Sequence, residues 1–274
     1  MSDVTDELNR ILDLEVIEDN LFRGENEYRE YKRLFGGQAL AQALIAAYRT
    51  VDSARSCHSL HGYFLRPGNT ERPVLYQVDP IRDGSSFTTR RIKAIQKGEA
   101  IFSMDASFQI EETGLSHQMD LEQEITQPEN LEDDYEVAKR KGQQTGWSDR
   151  KRPFEIRTVP KIGNNRSAVW LRYRDETKEP GDPQHQFLLS YASDMSLIST
   201  AMIPHRKTIT GAMQVASLDH ALWFHRPFSV CEWILYTRDT PAAAGARGFT
   251  RGSFYNTKGQ LIASVMQEGL IRTR

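Results

Sequence analysis

The sequence predicts an α+β chain built from two tandem copies of one unit, each a helix followed by antiparallel strands. Two observations carry this. Strand-like runs broken by turn residues follow a helix twice in the same order. The second copy also echoes the first at residue level. HGYFLRP (61–67) returns as HALWFHRP (220–227), and SFTTRRIKAIQKGEAIFS (86–103) as GFTRGSFYNTKGQLIAS (248–264). Pro67 and Pro227 stand 160 residues apart, Gly98 and Gly259 161. Two ordered matches at nearly one offset mark a duplicated domain, not a short-period solenoid.

VTDELNRIL (4–12) opens the chain as a short helix. FGGQALAQALIAAYRTV (35–51) reads as the long helix of the first unit: it is rich in Ala, Leu and Gln and begins after two glycines. HSLHGYFL, VLYQVDPI, SFTTRRIKAIQ and AIFSMDASFQI follow as strands, separated by RPGN, RDGS and QKGE. In the second unit EIRTV and VWLRYR precede a helix at 186–200. MQVASLDHALWFHRP, EWILYTRDT, GFTRGSFYN and LIASVMQEGLI then follow as strands. The polar, charged stretch between the copies reads as a surface connection with a short helix near 130–141. The expected division is 1–112, a linker at 113–152, and 153–274. Two such units could pair edge to edge, which removes exposed strand edges.

Composition narrows the function. Apolar residues make up 39% and charged residues 26% of 274, as in a globular protein. A net charge of −2 argues against nucleic acid as partner. No apolar run is long enough for a membrane span. Cys57 and Cys231 form no metal or redox spacing, which fits a reducing cytoplasm. MSDVTDELNR does not read as a secretory signal, nor LIRTR as a peroxisomal address. There is no G-x-S-x-G elbow, P-loop, H-E-x-x-H or dinucleotide fingerprint, and the seven histidines have no ligand spacing. Serine hydrolase, kinase, zinc and nicotinamide chemistry therefore lack support.

One helix carries an anomaly. In QFLLSYASDMSLIST, Phe187, Tyr191 and Ile198 share a face, and Asp194 falls on that same face. On the residues alone, a satisfied structural Asp is favoured there over a catalytic one. ASLDHALWFH holds Ser, Asp and His together, but as a regular strand it puts Ser217 and Asp219 on one face and His220 on the other. Trp223 and His225 read as packing residues.

LFRGEN, FGGQALAQAL, HGYFLRPG, RDGSSFTTRRIKAIQKGEAIF, SYASDM, SLDHALWFHRPF, ARGFTRGSFY and SVMQEGL resemble, in order, the motifs of the acyl-CoA thioesterase II family. The resemblance spans about residues 14–272 apart from the linker. It implies a double hot-dog fold, in which two sheets each wrap a central helix. It implies hydrolysis of medium- to long-chain fatty acyl-CoA to free acid and CoA, with no cofactor and no metal. It further implies assembly into a dimer or tetramer. Three residues carry over by motif as catalytic: Asp194, Ser217 (Thr in many members) and Gln267. On the residues alone, Ser217 fits a core-edge position and Gln267 an outward-facing one.

Thioester hydrolysis needs an oriented water, a proton acceptor and a site for the oxyanion. Aspartate can accept the proton or attack the thioester itself to form an anhydride, and the Ser and Gln side chains can fix the water. Backbone N–H groups at a helix start suit an oxyanion, which makes Gly37 and Gln38 candidates. A hot-dog acyl-CoA hydratase and a non-catalytic acyl-CoA-binding protein are the alternatives. The repeat adds one more expectation. Ser217 maps back onto Cys57 and Gln267 onto Ala106, and the helix from Phe35 to Tyr48 holds no Asp or Glu. Each chain should therefore hold one working site.

Overall fold

A computed structural model describes residues 4–27, 33–121, 125–142, 151–160, 162–175 and 183–273. Helix α1 (Val4–Leu12) leads into a hairpin of β1 (Glu15–Glu18) and β2 (Leu21–Gly24). Then come α2 (Gly36–Tyr48), β3 (Arg55–Phe64), β4 (Val74–Asp83), β5 (Phe87–Gln96) and β6 (Glu99–Ile110). The connection carries α3 (Asp134–Arg140). The second copy runs β7 (Phe154–Val159), β8 (Arg166–Tyr173), α4 (Gln184–Ser193), β9 (Met213–Ser217), β10 (Asp219–Phe224), β11 (Ile234–Ala244), β12 (Arg247–Asn256) and β13 (Leu261–Thr273).

All pairings are antiparallel, in one continuous sheet ordered β1-β2-β4-β5-β6-β3-β10-β13-β12-β11-β8-β7, with β9 also on β13. The copies join edge to edge where β3 meets β10, from Asp219 opposite Tyr63 to Trp223 opposite Ser59. Neither of those strands is left with an open edge.

Helix α2 is buried from Gly37 to Ala47, as expected of a helix apolar on nearly every side. It packs antiparallel to α4: Gly36 lies against Asp194, while at the other end Tyr48 Oη donates to Gln186 Oε1 at 2.5 Å. Glycine is required at the close end. A Cβ on Gly37 would stand 2.2 Å from the Tyr191 carbonyl oxygen. Three sequence expectations change. The β1–β2 hairpin was not anticipated. The helix expected over 186–200 ends at Ser193, and a 3₁₀ turn resumes at Ile198. The connection is not a mere surface tether: it straps the outer face of the second copy's half of the sheet. Ile125 is buried there, and Trp170 Nε1 donates to the Thr126 carbonyl at 2.9 Å.

The duplication extends to the irregularities. In β3, Cys57 sits opposite Phe108 and Leu60 opposite Ala106, so one strand advances three residues against two. In the second copy Ser217 sits opposite Gly269 and Ala221 opposite Met266, four residues against three. Each copy thus holds one extra residue, a β-bulge, at the same place in the repeat.

Candidate active site

Asp194 is the cap residue of α4, not a member of a continuing helical stripe. Ser196, at φ 60°, takes the left-handed conformation and breaks the helix. The carboxylate is therefore delivered off the end of α4 onto the start of α2. There the Gly37 N–H donates to it, and a Cβ on Gly36 would come within 2.6 Å of Oδ2. An acidic group at a helix N-terminus is electrostatically favoured. Gly36 leaves the room it occupies.

The second copy's bulge supplies the rest. A regular strand would separate Ser217 from His220, but one extra residue turns both inward, beside Gln267. Asp219 folds back at the bulge, its Oδ1 accepting the Glu268 N–H at 2.6 Å. Gln267, buried on β13, donates from Nε2 to Asp194 Oδ1 at 2.7 Å and sits 3.1 Å from His220 Nδ1. His220 Nε2 lies 2.9 Å from Ser193 Oγ. Ser217 is half-buried at the end of β9. It lines a cavity of about 320 Å³ with Gly36, Phe64 and Leu218, beside the cluster but not hydrogen-bonded into it. Arg33 and Arg66 also line this cavity. A second cavity, of about 180 Å³, opens at Met195 and Ser196, with Phe154, Ile156, Val169, Leu171 and Tyr236 as apolar walls.

Burial sets the ionisation. Desolvation pushes the Asp194 carboxyl up from 3.8 to about 6, against the opposing pull of its bonds from Gln267 and Gly37. It pushes His220 down to about 3, so the ring is neutral. His220 Nδ1 and Asp194 Oδ1 are 3.7 Å apart, close enough for an ion pair, but a neutral imidazole makes none.

The structure thus brings Asp194 and Gln267 into direct contact and sets Ser217 in the adjoining wall. It adds His220, which strand alternation had turned the wrong way. The oxyanion expectation for Gly37 and Gln38 needs correction: the Gly37 N–H is committed to Asp194, and the Gln38 N–H to the Phe35 carbonyl at 3.2 Å. The Gln38 side chain is buried in bonds to Glu25 O and Asn26 Oδ1. Trp223 packs edge-on against His61, and His225 bonds Ser264, as structural residues do. Among the described residues no cluster of His, Cys, Asp and Glu could hold a metal ion.

Two family profiles match the chain: one described as acyl-CoA thioesterase over residues 139–270, and one described as acyl-CoA thioesterase N-terminal domain over 28–109. The chain is 38% identical to acyl-CoA thioesterase 2 of Haemophilus influenzae over 99% of both chains. It is 36% identical to human acyl-coenzyme A thioesterase 8, over 96% of this chain and 88% of that one. A crystal structure of acyl-CoA thioesterase II from Mycobacterium marinum superposes with a TM-score of 0.82 at 40% identity, covering 98% of each chain. A hot-dog protein of Alicyclobacillus acidocaldarius, only 14% identical, shares the fold at a TM-score of 0.79. The fold is a double hot-dog, and the chain belongs to the acyl-CoA thioesterase II family of enzymes.

Proposed function

We propose that this enzyme hydrolyses medium- to long-chain fatty acyl-CoA thioesters to free fatty acid and CoA, with the water activated by Asp194, Gln267 and Ser217. The observation that carries this reading is the 2.7 Å contact of Gln267 Nε2 with a buried carboxylate facing the glycine start of α2. Above about pH 6 Asp194 is ionised and can take a proton from water. The water oxygen bonds to the thioester carbon, the C–S bond breaks, and the CoA thiolate leaves and is protonated. Gln267 and Ser217 contribute orientation. The apolar wall of the cavity beside Met195, which Asp134, Arg152, Arg174 and Arg238 also line, supports an acyl chain as the group bound there. Arg33 and Arg66 beside the Ser217 cavity support approach by an anionic substrate.

The units are taken as 1–112 and 153–274, joined by 113–152. Assembly into a dimer or tetramer rests on the family. A cytoplasmic location is supported by the free Cys57 and Cys231. No described helix is long and apolar enough to cross a membrane.

Hydration of an enoyl-CoA is the second reading, because Asp194 and His220 approach to 3.7 Å. His220 is fully buried, however, with both ring nitrogens engaged, and does not reach a substrate. The test is CoA release from an acyl-CoA series, followed with a thiol reagent. Free thiol is expected. Loss of enoyl absorbance without thiol would establish hydration instead.

A further inference from the structure

The hydrogen bonds around His220 fix its tautomer. The single hydroxyl hydrogen of Ser193 goes to the Ser190 carbonyl at 2.8 Å, so towards His220 Ser193 Oγ can only accept. His220 Nε2 must then carry the ring proton, which leaves Nδ1 as a bare acceptor. Gln267 donates to that acceptor at 3.1 Å with one amide hydrogen and to Asp194 Oδ1 with the other. Turning the amide over would set Oε1 against two acceptors at once. Both hydrogens are therefore spent, and Gln267 Oε1 is left buried without a partner. Buried polar atoms are rarely left so, and an orphan acceptor beside a catalytic carboxylate marks the place for a donor that arrives with the reaction.

We propose that His220 is a positioning residue: in its Nε2–H form it holds the Gln267 amide nitrogen towards Asp194, so that Gln267 Oε1 is the atom left to accept an O–H from the attacking water. Gln267 then cannot donate to the thioester oxyanion, because it has no hydrogen left to give. The chain of control runs from the last turn of α4, through Ser193 and His220, to Gln267, with no contact between His220 and substrate. This deepens the hydrolytic reading of the site and rests on it.

A matched pair of variants tests the role. His220→Asn keeps an acceptor near the position of Nδ1, whereas His220→Leu has the same branched shape with none. His220→Leu is expected to lower kcat about 10²-fold with KM within about twofold, the pattern of lost orientation. His220→Asn is expected to recover most of kcat. Equal losses in both variants, a change in KM alone, or an unaffected His220→Leu would overturn the proposal. A second measurement needs no variant: ¹⁵N NMR of the histidine-labelled wild type at neutral pH should find His220 protonated on Nε2 and bare on Nδ1. A proton on Nδ1 would overturn the proposal even if the Leu variant failed to fold. If the wild type released no CoA from any acyl-CoA, the hydrolytic reading would fall, and the tautomer would still decide the positioning claim.

Discussion

The two copies place the same bulge beside the same helix ends, yet build opposite things there. In the second copy the inward residues are Ser217, His220 and Gln267, facing Asp194 across the glycine start of α2. In the first they are Cys57, Leu60 and Ala106, facing the end of α2 and the start of α4. There Tyr48 Oη accepts the Cys57 N–H at 2.7 Å and donates to Gln186, whose Nε2 donates to the Cys57 carbonyl at 2.9 Å. Phe108 and Phe187 pack edge-on against the Tyr48 ring. Among the described residues these polar groups are closed onto one another, and Leu60, Ala106, Phe108 and Phe187 beside them are apolar. Burial pushes the Cys57 thiol upward, away from a reactive thiolate. Bulge and helix ends are thus scaffold. A site needs, in addition, a carboxylate, room beside it, and polar groups left open.

The largest effect expected from breaking this asymmetry is at Asp194. Asp194→Asn should lower kcat by about 10²–10⁴-fold, the range for losing a general base. Its stability should run the other way. A carboxyl raised from 3.8 to about 6 on folding favours the protonated native state, so its contribution is full below pH 3.8 and lost as pH rises through 6. At pH 8 the variant should melt no lower than wild type. A melting temperature many degrees lower would mean that Asp194 is chiefly structural. Gln267→Ala comes next, with kcat down about 10²-fold at little change in KM. A rise in KM alone would make Gln267 a binding residue.

Titrating the same carboxylate gives a smaller, graded effect. Activity of the wild type should fall about tenfold per pH unit below pH 6, as the base becomes protonated. A flat profile from pH 5 to 8 would remove Asp194 from the proton-transfer step. The smallest effect is reserved for the first copy. Cys57→Ala should leave kcat and KM within about twofold, since an untitrated buried thiol acts only by packing.

Much of this asymmetry was legible in the sequence. The 160- and 161-residue offsets that pair Ser217 with Cys57 and Gln267 with Ala106 reappear as matching register in the two halves of the sheet. The long helix could be read because Ala and Leu fill nearly every turn, and the strands because turn residues bound them. Asp194, Ser217 and Gln267 came from motif resemblance, since each position also suits an ordinary structural residue. Other features carry little local signal. A bulge is a relation between two strands, so alternation along Ser217–His220 gave the wrong face for His220. The end of α4 was hidden because Ile198 keeps the helical spacing, and Ser196 is not a residue that announces a left-handed turn. The β1–β2 hairpin went unread because Glu15–Glu18 is exposed throughout and shows no apolar alternation. The N–H groups at Gly37 and Gln38 were read as available because the sequence does not show that α4 delivers a carboxylate to them.

The number of acyl-CoA molecules bound per chain tests the account most directly. Calorimetric titration of the wild-type enzyme with a non-hydrolysable thioether analogue of a long-chain acyl-CoA should give one site per chain, held by the second copy's cluster. Two equivalent sites per chain would contradict it, because the Cys57 region would then bind substrate as the Asp194 region does.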